Sequence, residues 1–300
     1  MSSVTESRKY HLTTFTRYLY SRIEAKQSLF ISLLQKDASQ ALFWGYELYY
    51  SGFRSETFDF IQDIYHELYA ELNPDLQSFM VTMMSEWNDC DNNAMDCNLG
   101  SIIYTLSQRE YDMVAFVKSK LSYNITKDII ASSTPAPLCI CTMLPEHIER
   151  YQTHVVSPSD DDKAFRVLST LKLYPTIKEC NTLFDTQMPE DFTNIYHATM
   201  ESWLFYAARS PIWLQRIEEH NGIIDYDNMK VGFEDEEDER RFCELWDYEP
   251  NELPSNIQEL SLGTGNEKQM TMKQFCKKYK HTVVSKITKR KVVKKSDKTG

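Results

Sequence analysis

Three hundred residues with 42% hydrophobic and 26% charged side chains suffice for one large domain or two ordinary ones, with no need of disulfide staples. No window approaches the roughly 18 uninterrupted apolar residues of a spanning helix, and the first ten residues lack the apolar stretch of a secretory signal, so neither membrane insertion nor export is expected. Only 8 glycines argue against Gly-rich phosphate loops, dinucleotide-binding turns and many-turned β-sandwiches, and 7 scattered cysteines suit a reducing compartment with free thiols.

In chain order, Phe15, Tyr18, Leu19, Ile23, Phe30, Leu33 and Leu34 recur at helical spacing and predict a long amphipathic helix that stops near Lys36. A second helix over 38–51 is apolar almost all round, which places it at the centre of the core, with Gly52 closing it. Periodic stretches at 61–72 and 76–87 follow, the first ended by Asn73-Pro74, and shorter helices are predicted over 99–106 and 110–121 around an Asn-rich loop at 89–98. Periodicity fails from 132 to 159, where four prolines punctuate a connection that holds a short helix near 146–151. Ser159 then caps a helix reaching Pro175, a further helix spans 191–208, and Ser210-Pro211 opens the next. Residues 223–233 predict a small β-hairpin around Asp227-Asn228. Next come an acidic helix over 234–246 with Phe242, Leu245 and Trp246 as its apolar side, an irregular linker to Gly265, and a basic amphipathic helix carrying Met272, Phe275, Cys276 and Tyr279. From residue 283 the composition predicts disorder.

The expected fold is therefore all-α: a compact multi-helix array of antiparallel helical hairpins, with at most one small β-hairpin and a disordered basic C-terminal tail. Its divisions are an N-terminal helical unit (1–131), a Pro-containing connection (132–158), a C-terminal helical unit with the acidic stretch (159–250), and a linker, short basic helix and tail (251–300).

Four constellations bear on chemistry. Cys139-Ile-Cys141 with His147 and His154 offers C-x-C and H-x6-H spacings, outside the ranges that wrap a chain around tetrahedral zinc, so no metal and no cofactor are expected. Glu47 lies inside an apolar helix, and the reading is a satisfied buried charge facing Arg17 or Arg22. The alternative is an enzyme of unknown class with a pocket around Glu47. The run Glu234, Asp235, Glu236, Glu237, Asp238, Glu239 reads either as a solvated helix start or as a docking surface for a basic protein partner.

The tail is the sharpest signal. Residues 266–300 hold twelve Lys/Arg against two Asp/Glu, so they carry +10 and the preceding residues −21, which together make the net −11. Lys286, Lys289, Arg290, Lys291, Lys294 and Lys295 are the candidates for binding nucleic acid or another polyanion, with no interleaved aromatic for base stacking. The competing reading folds the tail onto the acidic stretch. Truncation after Leu262 is expected to leave thermal stability nearly unchanged.

The segment Ala41-Leu-Phe-Trp-Gly-Tyr-Glu-Leu-Tyr-Tyr-Ser-Gly-Phe53 is less generic, as are Trp203-Leu-Phe-Tyr-Ala-Ala-Arg-Ser-Pro-Ile-Trp213 and Trp246-Asp-Tyr-Glu-Pro-Asn-Glu252. In these segments the chain resembles a family of uncharacterised helical proteins of large nucleocytoplasmic DNA viruses (giant viruses). The resemblance touches most of residues 10–252 and carries over no catalytic residue. It implies a viral product inside the infected cell or the virion, with the nucleus as a further location, acting as a virion component, a replication-factory protein or a host-interaction protein. The functional expectation is a non-enzymatic interaction or structural protein with a basic arm.

Overall fold

The computed structural model describes residues 14–88, 96–121, 123–127, 140–152, 179–180, 183, 192–246, 250, 254–264, 266–279 and 284–289. The expected helix over 159–175 lies outside the described residues. The architecture is mostly helical, as the periodicity requires.

Helices α1 (Arg22–Leu34) and α2 (Ala38–Tyr50) form the central hairpin. Lys36 turns the chain at φ 56°, where its N–H bonds the Leu33 carbonyl and the Asp37 N–H bonds that of Ser32, closing α1 in a Schellman turn. Asp37 then caps α2 by accepting from the Gln40 N–H at 3.1 Å. At the far end Gly52 (φ 95°) repeats the Schellman pattern, and a Cβ there would lie 2.4 Å from Pro211 Cβ. That close approach seats α10 (Pro211–Glu218) against the end of α2, with the Ile212 N–H bonded to the Ser51 carbonyl.

The first expected helix is wrong at its start. Residues 14–21 fold back on themselves instead, with a bridge between Phe15 and Ser21, Leu19 at φ 61° and the Arg22 N–H on the Thr14 carbonyl. The apolar spacing there reflects a buried turn rather than a helical face. The Trp213 indole fixes it by donating to the Thr16 carbonyl at 2.9 Å.

Helix α3 (Arg54–Ile64) runs into a π-turn at Tyr65–Tyr69, and α4 (Leu76–Asn88) follows. Helix α5 (Asp96–Ser107) starts three residues earlier than the periodicity suggested, and packs on α2 where Gly45 admits the Ile103 side chain. Helix α6 (Val114–Leu121) is capped by Asp112, whose carboxylate accepts from the Val114 N–H. Helix α7 (Pro145–Gln152) matches its expected place. The expected 191–208 helix is two pieces, α8 (Phe192–Met200) and α9 (Trp203–Ala207), because the chain changes direction at Ser202 (φ −129°).

The hairpin of β2 (Gly222–Asp225) and β3 (Lys230–Phe233) forms as expected, its turn tied by the Asp225 carboxylate to the N–H groups of Asp227 and Asn228. Helix α11 (Glu236–Trp246) buries Phe242 and Trp246 but leaves Leu245 41% exposed, correcting its assignment to the apolar side. The supposed linker contains α12 (Ser255–Leu262), opened by Pro254 and closed by Gly263 at φ 79°.

Helix α13 (Met272–Tyr279) buries all four expected apolar side chains, with Phe275 fully buried and 6.3 Å from the Phe116 ring. The Tyr111 hydroxyl lies within hydrogen-bond distance of the terminal carbonyls of Leu34 (2.9 Å) and Tyr279, its one hydrogen shared between them, and so sits where the ends of α1 and α13 meet. Beyond α13, strand β4 (Val284–Lys289) pairs antiparallel with β1 (Tyr123–Lys127), from Tyr123↔Lys289 to Lys127↔Val284. This ladder was not expected from the sequence; it joins segments remote along the chain and is not a second hairpin. A strand is stabilised by its cross-strand partner, and this partner is remote in sequence.

Because α13 is part of the core, truncation after Leu262 should unfold or strongly destabilise the protein, contrary to the expectation from sequence. Phe275→Ala should cost about 3–5 kcal/mol in urea denaturation, against under about 0.5 kcal/mol for the exposed Lys277→Ala. Equal midpoints for the two variants would refute the docking of α13.

Candidate functional site

Helix α2 carries Glu47 into the core, where it is fully buried. One carboxylate oxygen accepts from Arg17 Nε at 2.8 Å and the other from the Tyr18 N–H at 3.0 Å. Arg17 also donates through Nη1 to the Tyr151 carbonyl at 2.6 Å, and its guanidinium lies over the Tyr18 and Tyr50 rings at 4.8 and 5.3 Å. Of the two partners expected for Glu47, Arg17 is the one found. Arg22 instead pairs with Glu56 at 3.1 Å. Both oxygens of Glu47 are engaged inside a packed core, so the carboxylate has no face from which to take a proton from substrate.

A second buried carboxylate was not singled out from sequence. Asp96, at the first turn of α5, accepts from the hydroxyls of Tyr49 (2.6 Å) and Tyr50 (2.7 Å), while its carbonyl accepts from Tyr46 (2.9 Å). The available signal was the spacing of Tyr46, Tyr49 and Tyr50, which puts three phenols on one side of α2. Tyr151 of α7 stacks on Tyr46 with ring centroids 4.7 Å apart. Burial, more than any neighbouring charge, pushes the Tyr46 and Tyr50 phenols well above the usual tyrosine range, and the Asp96 charge adds to it. Every partner here is a protein group. The arrangement clamps α2, α5 and α7.

The metal question stands on fewer residues. His147 Nδ1 accepts from the Leu144 N–H at 3.0 Å and so closes the start of α7, while the Cys141 N–H donates to Thr105 Oγ1. Cys139 and His154 lie outside the described residues. Among the described residues no group of His, Cys, Asp and Glu is arranged to hold a metal ion.

The acidic stretch forms the start of α11. Asp235 caps it by accepting from the Asp238 N–H at 2.8 Å, and Glu237 pairs with Arg240 and Arg241 of the same helix. These arginines hold the Glu237 carboxyl below the usual range, the Arg240 hydrogen bond most of all. Glu234, Glu236 and Glu239 are exposed.

The basic candidates are placed differently. Lys286 and Lys289 belong to β4, which pairs with β1, whereas Arg290, Lys291, Lys294 and Lys295 lie outside the described residues. Helix α13 adds Lys273, Lys277 and Lys278, all exposed, with the last two at its C-terminal turn where the helix dipole favours cations. Sequence reasoning passed over Lys118, Lys120 and Lys127. These belong to α6 and β1, the elements on which α13 and β4 dock.

Comparison with family models, curated proteins and solved structures yields no match, so the functional reading rests on these residues alone.

Two outcomes test the buried groups. Glu47→Gln leaves the Arg17 charge buried without its counter-charge and should cost about 3–5 kcal/mol in urea denaturation, much of it recovered by pairing Arg17→Met with Glu47→Leu. An unchanged midpoint for Glu47→Gln would show that the pair contributes nothing. Second, the folded state holds Tyr46, Tyr50, Tyr69 and Tyr111 protonated above the ordinary tyrosine pKa of 10.0. Above that pH the unfolded chain binds fewer protons than the folded one, so this stabilisation is complete below about pH 10 and is lost as pH rises further. Tyrosinate absorbance should therefore climb together with loss of near-ultraviolet circular dichroism. Full ionisation with the native spectrum intact would contradict the burial.

Proposed function

We propose that this is a non-enzymatic helical protein of a large DNA virus that works by binding other macromolecules, and that its basic C-terminal segment contacts nucleic acid. The observation that carries the proposal is helix α13, which is seated in the core by Met272, Phe275, Cys276 and Tyr279 while Lys273, Lys277 and Lys278 face outward. A helix built this way gives the basic arm a fixed point of departure from an otherwise acidic body. The acidic residues at the start of α11 act as the opposing pole and keep phosphate away from that side. The reading of Glu47 as the centre of an enzyme pocket loses its motive, since the carboxylate already has its partners. A site inside the infected cell or the virion, the nucleus included, belongs to the same proposal.

Fluorescence anisotropy with a labelled duplex DNA tests it. Log affinity should fall with log salt at a slope near −0.9 per phosphate contact and vary little with base sequence, because lysines on phosphate do not read bases. Truncation after Lys289 keeps α13 and β4 and removes Arg290, Lys291, Lys294, Lys295 and Lys298. It should flatten the slope by up to about 4.5 with little change in thermal stability. No binding by the intact chain at low salt would overturn the proposal.

A further inference from the structure

The hairpin of β2 and β3 turns one face to the core and the other to solvent. Ile224, Val231 and Phe233 pack inward, while Ile223, Asp225, Lys230 and Gly232 form the exposed face. Ile223 is 59% exposed, and its cross-strand partner is Gly232. A single exposed isoleucine is ordinary, but the side chain opposite it in a ladder normally covers part of it. Here that cover is missing, and the fold does not require the glycine. At Gly45, Gly52, Gly100 and Gly222 an added Cβ would collide with Ile103, Pro211, the Tyr46 hydroxyl and Ile217. At Gly232 it would meet nothing within 4 Å, and the φ there is not in the left-handed region. Glycine weakens a strand, and it recurs where a ligand or another chain comes close. One of only 8 glycines in the chain thus leaves Ile223 bare.

We infer that the exposed face of this hairpin docks a protein partner: a basic segment that lays one large apolar side chain across Gly232 and against Ile223. The inference goes beyond the proposed contact of the C-terminal segment with nucleic acid and does not depend on it. Charge complementarity selects the partner. On the face itself Asp225 and Lys230 oppose each other, but residues 218–239 hold ten Asp/Glu against that one lysine. Glu234 directly follows β3 and is exposed, and Asp238 is tied to the base of the hairpin by the Asn221 side-chain amide at 2.9 Å. Strands of four residues span about 13 Å, little more than the screening length of about 8–10 Å at physiological salt. The field of these acids therefore reaches a ligand over the face without each carboxylate lying on it. The same charges oppose a second copy of the chain, which would bring its own ten acids against these.

The experiment uses the full-length chain and a fluorescein-labelled peptide with one phenylalanine between two runs of three lysines. Binding should be saturable and weaken with salt, and serine in place of the phenylalanine should cost about tenfold or more in affinity, as burial of one aromatic side chain implies. Ile223→Ser and Gly232→Gln should each lower affinity for the phenylalanine peptide about tenfold, with the melting temperature not lowered and Ile223→Val close to the parent. No saturable binding, equal affinity for the two peptides, or parental affinity in both variants would overturn the inference. A lower melting temperature for Ile223→Ser would show that the side chain serves the fold, and would equally overturn it. Dimerisation of the parent that Ile223→Ser abolishes would assign the face to a second copy. Tighter binding of the peptide after truncation at Lys289 would assign it to the chain's own tail. Either result overturns the choice of partner. Duplex DNA titrated against the same two variants should bind as to the parent, so failure at the hairpin leaves the nucleic-acid proposal standing.

Discussion

A guanidinium and a carboxylate buried together where the N-terminal turn meets α2 constrain the rest of this molecule. Taking Arg17 and Glu47 out of water is costly, and their mutual attraction offsets the cost only if the remaining donors and acceptors are also satisfied. The groups that satisfy them come from separate parts of the chain: the Tyr18 amide of the turn donates to Glu47 and the Tyr151 carbonyl of α7 accepts from Arg17, while the Ser51 hydroxyl at the end of α2 accepts from the Arg17 backbone N–H. The turn is held in place from another side by Trp213 of α10, which donates to Thr16. A second buried arginine lies close by. Arg216 stacks on Trp213 and Trp246 at 4.6 and 3.7 Å, and burial, followed by the nearby Arg17 charge, brings its pKa down to about 9. Tyr18, Glu47 and Glu219 act against that shift.

The aromatic richness of the sequence acquires a purpose around this pair. Tyrosine offers a large apolar ring and one hydroxyl, and in a core crowded with polar ends the hydroxyl must find an acceptor. Tyr46, Tyr49 and Tyr50 find Asp96, and Tyr111 finds the carbonyls that end two helices. Scarce glycine is spent where nothing else fits. Gly52 has a positive φ and Pro211 against its Cα, and Gly45 lies under Ile103.

Charge is arranged by the same economy but with the opposite intent. Most acidic groups at the start of α11 are exposed, and of these Glu237 pairs with Arg240 and Arg241 of the same helix. Basic groups are gathered elsewhere, on α13 and on strands joined by a ladder. On α13 the exposed lysines stand apart from the acidic start of α11, and the proposed function builds on that separation.

Much of the helical framework was written locally. The periodicities of α2, α4 and α13, the start of α10 at Pro211, the stop at Gly52 and the hairpin turn around Asp227-Asn228 depend on neighbours within a few residues, and these were read from the sequence. The pairing of Glu47 with an arginine was foreseeable because an apolar helix cannot leave a carboxylate alone. The choice of Arg17 over Arg22 depended on residues 14–21 forming a turn instead of a helix, and periodicity cannot distinguish a buried turn from a buried helical face. Asp96 gave no sign of its role until α5 brought it against three phenols. The ladder of β1 on β4 was equally hidden, since a strand's partner is chosen by the tertiary fold and leaves no local mark on either segment. Sequence alone determined the helices and the overall separation of charge. Only the packed structure decided which buried charges meet and which strands pair, because both are contacts between residues far apart along the chain.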